Sequence, residues 1–459
     1  MKFESIHSVY FVGIGGIGMS ALARWFRLNG LNVAGYDRTA TALCLKLEEE
    51  GIPVHYQDDL SLVPDWAKNP KNTLIVYTPA VPARHSELSY FVNSGFEVKK
   101  RSEVLGIISE GHFTIAVAGT HGKTTTSSMI AHLLHGSQQG CSAFVGGIMT
   151  NYQSNLIVGN DQAPVVVEAD EFDRSFLRLH PDVAIVTSMD PDHLDIYGDP
   201  EAMTSSYLDF MALTSPAGQI LLHDGIADKA GNLLDQPYAI YGISGRGYRA
   251  ENIRVEGGRF VFDYHGDEII EGIRLGLPGY HNVSNAVAAT TVALMQGMPA
   301  QVIRERLESY QGVKRRFEYI LQQSGLVVID DYAHHPSEIE ALLKSVRTLF
   351  PEREVTAIFQ PHLYSRTRDF QDGFASSLDL ADRVVLLDIY PAREEPIPGI
   401  TSDVIFDKIQ CTNKQKASKG DFPSILDQLN PQVLLTIGAG DIDTLVPVIR
   451  DYYIKKEKR

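Results

Sequence analysis

Cysteine is scarce: Cys44, Cys141 and Cys411 are the three thiols of a 459-residue chain. They are widely spaced and form no CxxC pair, which excludes a disulfide framework and fits a reducing, cytoplasmic setting. No apolar run approaches the ~18 residues of a membrane-spanning helix, so none is expected. The opening stretch MKFESIHSVYF enters a strand directly, and no signal peptide is expected. Positive charge is in deficit, with 41 Lys and Arg against 57 Asp and Glu and a net charge of −16. A generic nucleic-acid surface needs clustered cations and is excluded. Small anionic ligands need only a glycine loop and one or two local cations, and stay open. There is no low-complexity segment and no clear internal repeat. What is present, 44% hydrophobic and 21% charged residues, suits a globular chain. At roughly 100–200 residues per domain it should hold two to four domains.

The chain is organised around the stretch 113–128, FTIAVAGTHGKTTTSS. Residues 113–117 are apolar and β-branched, the pattern of a buried parallel strand. Gly119-Thr120-His121-Gly122-Lys123-Thr124-Thr125 then turns tightly. A helix is expected from Thr124, with Met129, Ile130, Leu133 and Leu134 at helical spacing. Strand, glycine loop, lysine and helix describe a phosphate cradle. Glycines let backbone N–H groups point inward, and the helix start adds partial positive charge. Lys123 can reach the β- and γ-phosphates of a nucleoside triphosphate, and the Thr124 hydroxyl can ligate Mg2+. The general pattern has a glycine where this chain has Val117, with Gly119 instead. An ordinary strand–turn–helix corner is the plainer alternative.

Upstream, a strand at 8–12 leads into Gly13-Ile14-Gly15-Gly16-Ile17-Gly18, a helix over 19–28, and a second strand over 32–36 that ends at Asp37. This is a fingerprint for a dinucleotide or a nucleotide diphosphate, with the acid placed for a ribose or base. By itself it admits a nicotinamide-dependent dehydrogenase, a nucleotide-sugar site or a simple tight turn. Downstream, strands at 164–167 and 183–186 run into Glu168-Ala169-Asp170-Glu171 and Asp190-Pro191-Asp192-His193-Leu194-Asp195. In a parallel sheet both strand ends open onto the edge that carries the phosphate loop. Glu168 and His193 can therefore converge near the phosphates, and a carboxylate with the Thr124 hydroxyl suits Mg2+. A histidine capping a helix in an acidic surface turn is the alternative for His193.

Residues 248–272 alternate polar and apolar around a Gly-Gly turn, as in a β-hairpin. Past Arg315-Arg316-Phe317, strands at 326–329, 355–359, 384–387 and 433–437 alternate with helices, the one at 339–349 being amphipathic. Their ends carry Asp331-Tyr332-Ala333-His334-His335 and His362-Leu363-Tyr364-Ser365-Arg366-Thr367-Arg368. The histidine pair could ligate a metal or, more ordinarily, cap a helix before Pro336. Arg366 and Arg368, on an expected loop, could fork onto a carboxylate or phosphate, or be solvated. If that loop is extended, both point to the same side.

Taken in order, GIGGIGMSALA, AGTHGKTTT, EADEFDRSFL, DPDHLDIYG, HNVSNA, RRFE, DDYAHHP and FQPHLYSRTRDF resemble the motifs of the Mur ligases across nearly the whole chain. The resemblance implies an α/β fold of three domains. Residues 1–109 would be a Rossmann-like UDP-sugar-binding domain and 110–317 a central P-loop ATPase-like domain with a mostly parallel sheet. Residues 318–459 would be a C-terminal Rossmann-like α/β domain on the ATP and amino-acid side. It further implies an amide ligase of peptidoglycan precursor synthesis, dependent on ATP and Mg2+. Its substrates would be UDP-N-acetylmuramate and L-alanine, joined through an acyl phosphate by a cytoplasmic monomer or weak homodimer. Gly15, Gly16, Ile17, Gly18 and Asp37 would then hold UDP and no nicotinamide. ATP would fall to Gly119, Thr120, His121, Gly122, Lys123, Thr124 and Thr125, with Asn285 on adenine, Arg316 on phosphates, and Asp331 and Tyr332 on the ribose side. Thr124 and Glu168 would hold one Mg2+ and His193 a second. His121 would also lie beside the sugar nucleotide, and His362 and Arg366 would face the amino acid. Lys123, His193 and Arg366 are the expected catalytic residues.

No lysine lies between His193 and Pro216, so the carbamoylated lysine of several relatives is not expected, in keeping with the alanine-adding branch. Phe172 stands where serine is common and matches the aromatic of the tripeptide-recycling branch; Leu363 replaces a common arginine. The tripeptide-recycling ligase is thus the alternative within the family. A nicotinamide oxidoreductase, which leaves the phosphate loop unused, is the alternative outside it.

Overall fold

The structure, a computed structural model, describes residues 5–457 apart from Ala83, Asp192, His193, Arg393 and Pro423, and apart from the side chains of Leu194, Asp195 and Glu457. The chain divides into two compact units. One runs through residue 251 and takes in 264–270 and 284–307; the other comprises 252–263, 271–283 and the chain from 308.

The first unit opens with five parallel strands: β1 (Ser8–Val12), β2 (Asn32–Tyr36), β3 (Val54–His55), β4 (Thr73–Tyr77) and β5 (Glu97–Lys100), ordered β3-β2-β1-β4-β5. Strand order reverses between β1 and β4, which opens a crevice at their carboxyl ends. The helix Ile17–Leu28 follows β1 and buries Met19, Leu22, Trp25 and Phe26, a spacing that lays one apolar stripe on the sheet. Gly30, at φ +86, ends it in the left-handed conformation that closes many helices.

The same unit holds a second sheet. Its strands are β6 (Thr114–Ala118), β7 (Ser142–Met149), β8 (Ser154–Ile157), β9 (Val165–Glu168), β10 (Val183–Val186), β11 (Gln219–His223) and β12 (Tyr238–Gly242), followed by the start of β13 (Tyr248–Glu256). The order is β13-β12-β11-β10-β6-β9-β7-β8, parallel except for the β7–β8 pair. β6 lies between β10 and β9, with Val117 opposite Glu168 and Ala118 opposite Val186. The loop after β6 therefore emerges between the segments that follow its two neighbours. Val9, Phe11, Trp25, Val117's neighbour Ala116, Phe144 and Val167 share one buried core, so both sheets of this unit are packed together. Beyond β13 the chain turns at Gly257 and Gly258, both at positive φ, into β14 (Arg259–His265) and then β15 (Ile269–Arg274).

The second unit contains a six-stranded sheet of β16 (Glu318–Gln322), β17 (Val327–Asp331), β18 (Val355–Phe359), β19 (Arg383–Leu386), β20 (Lys414–Lys416) and β21 (Val433–Ile437). The order is β16-β17-β21-β18-β19-β20, antiparallel at β16–β17 and parallel elsewhere. Val328, Ile358, Val385 and Leu434 centre a separate core, so this sheet is built on its own apolar interior.

Candidate active site

The loop 119–122 is held by the chain that follows β10. Gly119 sits at φ +133, and a Cβ there would run into Thr187 Oγ1 and come within 2.8 Å of the Ser188 amide nitrogen. The Thr187 hydroxyl donates to the His121 carbonyl, the His121 amide donates to Ser188 Oγ at 2.7 Å, and Thr120 Oγ1 donates to the Asp190 carbonyl at 2.9 Å. His121 Nε2 lies 3.3 Å from Asp190 Oδ2. Gly122, at φ +83, caps the helix Lys123–Leu134, and a Cβ there would sit 3.2 Å from Asn285 Oδ1. Asn285 is thus beside the loop although it lies far along the sequence.

Three carboxylates at and just after the end of β9 face this loop and its surroundings. Thr124 Oγ1 donates to Glu168 Oε1 at 2.9 Å, and the Gly146 amide donates to Glu168 Oε2 at 2.8 Å. Burial pushes the Glu168 carboxyl up, against the pull of the Lys123 ammonium. Lys123 Nζ donates to the Gly119 carbonyl at 2.6 Å and lies 2.9 and 2.8 Å from the two oxygens of Glu171, which is itself 1% exposed. Burial alone would depress the Lys123 ammonium, but Glu171, then Asp170 and Glu168, more than offset it, and it stays protonated. Asp170 Oδ2 reaches Arg101 Nη2 at 3.5 Å. The Tyr197 hydroxyl fixes this segment by donating to the Glu171 carbonyl at 2.6 Å.

In the glycine fingerprint, the Gly15 amide donates to Asp37 Oδ2 at 2.8 Å, and the Thr39 amide donates to Asp37 Oδ1 at 3.2 Å. Asp37 therefore braces the turn. A Cβ on Gly15 would meet that carboxylate, and a Cβ on Gly13 would meet Thr78 at 2.6 Å. Gly16, at φ −66 with its nearest neighbour 3.6 Å from a notional Cβ, is under neither constraint. Ile17 and Gly18 start the helix beyond it.

In the second unit, both Asp331 oxygens are taken by backbone amides, Phe317 at 2.7 Å and Ala333 at 2.8 Å. Burial pushes its carboxyl up to about 6 against the pull of Arg316. Arg316 lies over the Tyr332 ring at 5.2 Å. His334 Nδ1 lies 3.4 Å from Glu338, and burial pushes its imidazole down to about 4. His335 caps the helix Pro336–Leu349 with Glu338 in a capping box, so the ordinary reading holds for His335. Among the described residues no group of three His, Cys, Asp or Glu side chains is disposed to hold a metal ion. His362 stacks on Tyr390 with ring centres 5.8 Å apart, and Arg366 Nη1 lies 3.4 Å from His362 Nδ1.

The segment expected to be a loop is a helix, Tyr364–Leu378. Residues two apart on a helix are about 200° round its axis, so the two arginines cannot point to the same side. Arg366 is buried beside His362, while Arg368 is exposed and paired with Asp369 at 2.7 Å. His193 lies outside the described residues. The motifs left Glu171 and Arg101 without roles. Their only sequence signal is that each follows a strand whose end opens on a ligand-facing sheet edge.

Family models match the chain in three consecutive stretches: the Mur ligase family catalytic domain over 8–113, the Mur ligase middle domain over 117–293, and the Mur ligase glutamate ligase domain over 315–442. A UDP-N-acetylmuramate–L-alanine ligase of Flavobacterium johnsoniae is 48% identical over 451 residues, spanning 98% of both chains. That of Cytophaga hutchinsonii is 48% identical over 464 residues, spanning 98% of this chain and 97% of its own.

The chain belongs to the Mur ligase family.

The crystal structure of a UDP-N-acetylmuramate–alanine ligase from Thermotoga maritima superposes with a TM-score of 0.82 at 28% identity, over 98% of this chain and 99% of that one. A murein peptide ligase from Psychrobacter arcticus shares the fold, with a TM-score of 0.67 at 23% identity over 96% of this chain and 98% of its own. The expected α/β architecture of three domains with mostly parallel sheets is therefore that of this Mur ligase. Among its described residues no helix is long and apolar enough to cross a membrane.

Proposed function

We propose that this Mur ligase joins L-alanine to the lactyl carboxylate of UDP-N-acetylmuramate at the expense of ATP. The γ-phosphoryl group passes to the carboxylate, giving ADP and an acyl phosphate. The alanine amine attacks the acyl carbon, and the tetrahedral adduct expels phosphate and leaves an amide. The observation that carries this reading is the 48% identity, end to end, with relatives named for this reaction. The phosphate loop supports it: Lys123 is a half-buried, protonated ammonium at a helix start, placed to offset charge on a transferring phosphoryl group.

Residues 1–109 would take the UDP-sugar, 110–317 ATP, and 318–459 ATP and the amino acid. Gly119, Thr120, His121, Gly122, Lys123, Thr124 and Thr125 would cradle the triphosphate, with Asn285 at adenine, Arg316 at phosphate, and Asp331 and Tyr332 toward the ribose. Gly15, Gly16, Ile17, Gly18 and Asp37 would take UDP, His121 would lie beside the sugar nucleotide, and His362 and Arg366 would take alanine. The hard oxygens of Thr124 and Glu168, 2.9 Å apart, suit Mg2+, with His193 assigned to a second ion. Bound there, Mg2+ would neutralise charge on the β- and γ-oxygens. The three free thiols fit a reducing cytoplasm. A monomer or weak homodimer would suffice.

Phosphate release, measured with UDP-N-acetylmuramate and scanned over L-alanine, glycine, L-serine and the tripeptide L-Ala-γ-D-Glu-meso-diaminopimelate, tests the reading. The expected outcome is release dependent on L-alanine. Release with the tripeptide and none with L-alanine would move the chain to the recycling branch that Phe172 resembles.

A further inference from the structure

A cavity of about 230 Å³ opens on the sheet edge of the first unit, lined among others by Ile17, Gly18, Arg101, Phe144, Glu168 and Asp170. It joins the glycine fingerprint to the carboxylate beside the phosphate loop. One end gathers positive potential. The helix Ile17–Leu28 starts there, and so does the helix Arg101–Glu110. Arg101 is the first residue of the second helix, where the helix dipole disfavours a cation. Departures from a local rule of this kind are expected at functional or strained positions.

The guanidinium lies across Gly18. A Cβ there would come 2.5 Å from Arg101 Nη1 and 3.0 Å from its Cδ. The third glycine of the fingerprint thus keeps room for this side chain. Arg101 meets Asp170 at 3.5 Å, with the two side chains 26% and 41% exposed. A partly solvated pair at that distance is weak and readily exchanged.

Resting on the reading given under Proposed function, we propose that Arg101 binds the diphosphate of the sugar nucleotide, leaving Asp170 to fork onto it. A diphosphate at the start of the helix Ile17–Leu28 receives backbone N–H groups and the dipole from one side. Arg101 supplies a planar, bidentate cation from the other. The sugar then extends along the cavity toward Glu168, which carries its carboxylate to the phosphate loop.

Calorimetric titration tests this with two ligands, UDP-N-acetylmuramate and UDP-N-acetylglucosamine; the second keeps the diphosphate and lacks the lactyl carboxylate. Arg101→Ala should weaken both roughly 10- to 100-fold, the scale of one charge-assisted pair, and Arg101→Lys should recover part of the loss. Asp170→Asn should bind no more weakly than wild type, because it releases Arg101. ATP binding should be unchanged in both Arg101 variants. If wild type does not bind UDP-N-acetylmuramate, the proposed function itself fails. If wild type binds and Arg101→Ala binds equally well, the Arg101 assignment alone falls. An equal loss in Asp170→Asn would make the pair structural and overturn the proposal. A loss confined to the muramate ligand would place Arg101 on the carboxylate and overturn the diphosphate assignment.

Discussion

Arg366 and Arg368 stand two positions apart, and the helix separates their tasks. Arg366 is buried against His362, and Arg368 is in solvent with Asp369. The carboxylate of alanine needs a forked donor in a dry place, so under the proposed function it would fall to Arg366. Arg366→Lys should raise KM for L-alanine about 10- to 150-fold, equivalent to losing roughly 1.5–3 kcal/mol, with smaller changes for ATP and the sugar nucleotide. Steady-state kinetics on Arg366→Lys and Arg368→Lys side by side decides it; an alanine-selective defect in Arg368→Lys alone would reverse the assignment. A second residue reads out as pH dependence. Burial pushes the Glu87 carboxyl from 4.5 up to about 7, although the Tyr10 hydroxyl donates to it at 2.6 Å. The folded protein holds a proton there that the unfolded chain releases. Glu87's contribution is therefore fully present below about pH 4.5 and is lost as pH rises through about 7, a total of about 3 kcal/mol. Burial pushes neighbouring His55 and His85 down, and on acidification they act in the opposite direction. The clean measurement is the stability difference between wild type and Glu87→Gln from urea unfolding. It should shift toward wild type by about 3 kcal/mol as pH falls across that window. A flat difference would mean that Glu87 is ionised at neutral pH.

At the level of elements, the two glycine loops separate into positions that geometry requires and positions that it does not. Gly119→Ala would drive a Cβ into Thr187 from a φ that side chains rarely adopt. It should cost on the order of 1–3 kcal/mol of stability and abolish tight ATP binding. Gly16→Ala, at an ordinary φ with only ordinary van der Waals neighbours for a Cβ, should unfold within a degree or two of wild type. Thermal melts of the two variants make the comparison, and equal losses would show that the loop after β6 is not sterically constrained. The glycine turn and the helix after β6 were legible in the sequence because their signal is local: glycines, lysine and threonine follow one another directly. The helix Tyr364–Leu378 was not legible. Its N-cap, Leu363, sits at φ +70 and makes no side-chain cap. The orphan donors are met from Glu394, whose carboxylate accepts the Ser365 amide at 3.0 Å and the Ser365 hydroxyl. A cap supplied from thirty residues away leaves no start signal in the local sequence.

For the whole molecule, alternating strands and helices announced α/β domains, and ordered motifs placed the loops at strand ends. What stayed hidden was which charge faces which, because those pairs join the ends of different strands. The segment Glu168-Ala169-Asp170-Glu171 shows the consequence: it sets Glu171 on Lys123, Asp170 on Arg101 and Glu168 on Thr124. In a chain of net charge −16, such a segment works like a loaded ion-exchange bed. The fixed cations already carry tethered counter-ions, so an arriving polyanion displaces carboxylates of the protein and few ions of the bath. Nucleotide affinity should therefore vary with ionic strength less steeply than the number of cations at the site would suggest. A stray monovalent anion, able to replace one carboxylate at most, gains little by entering.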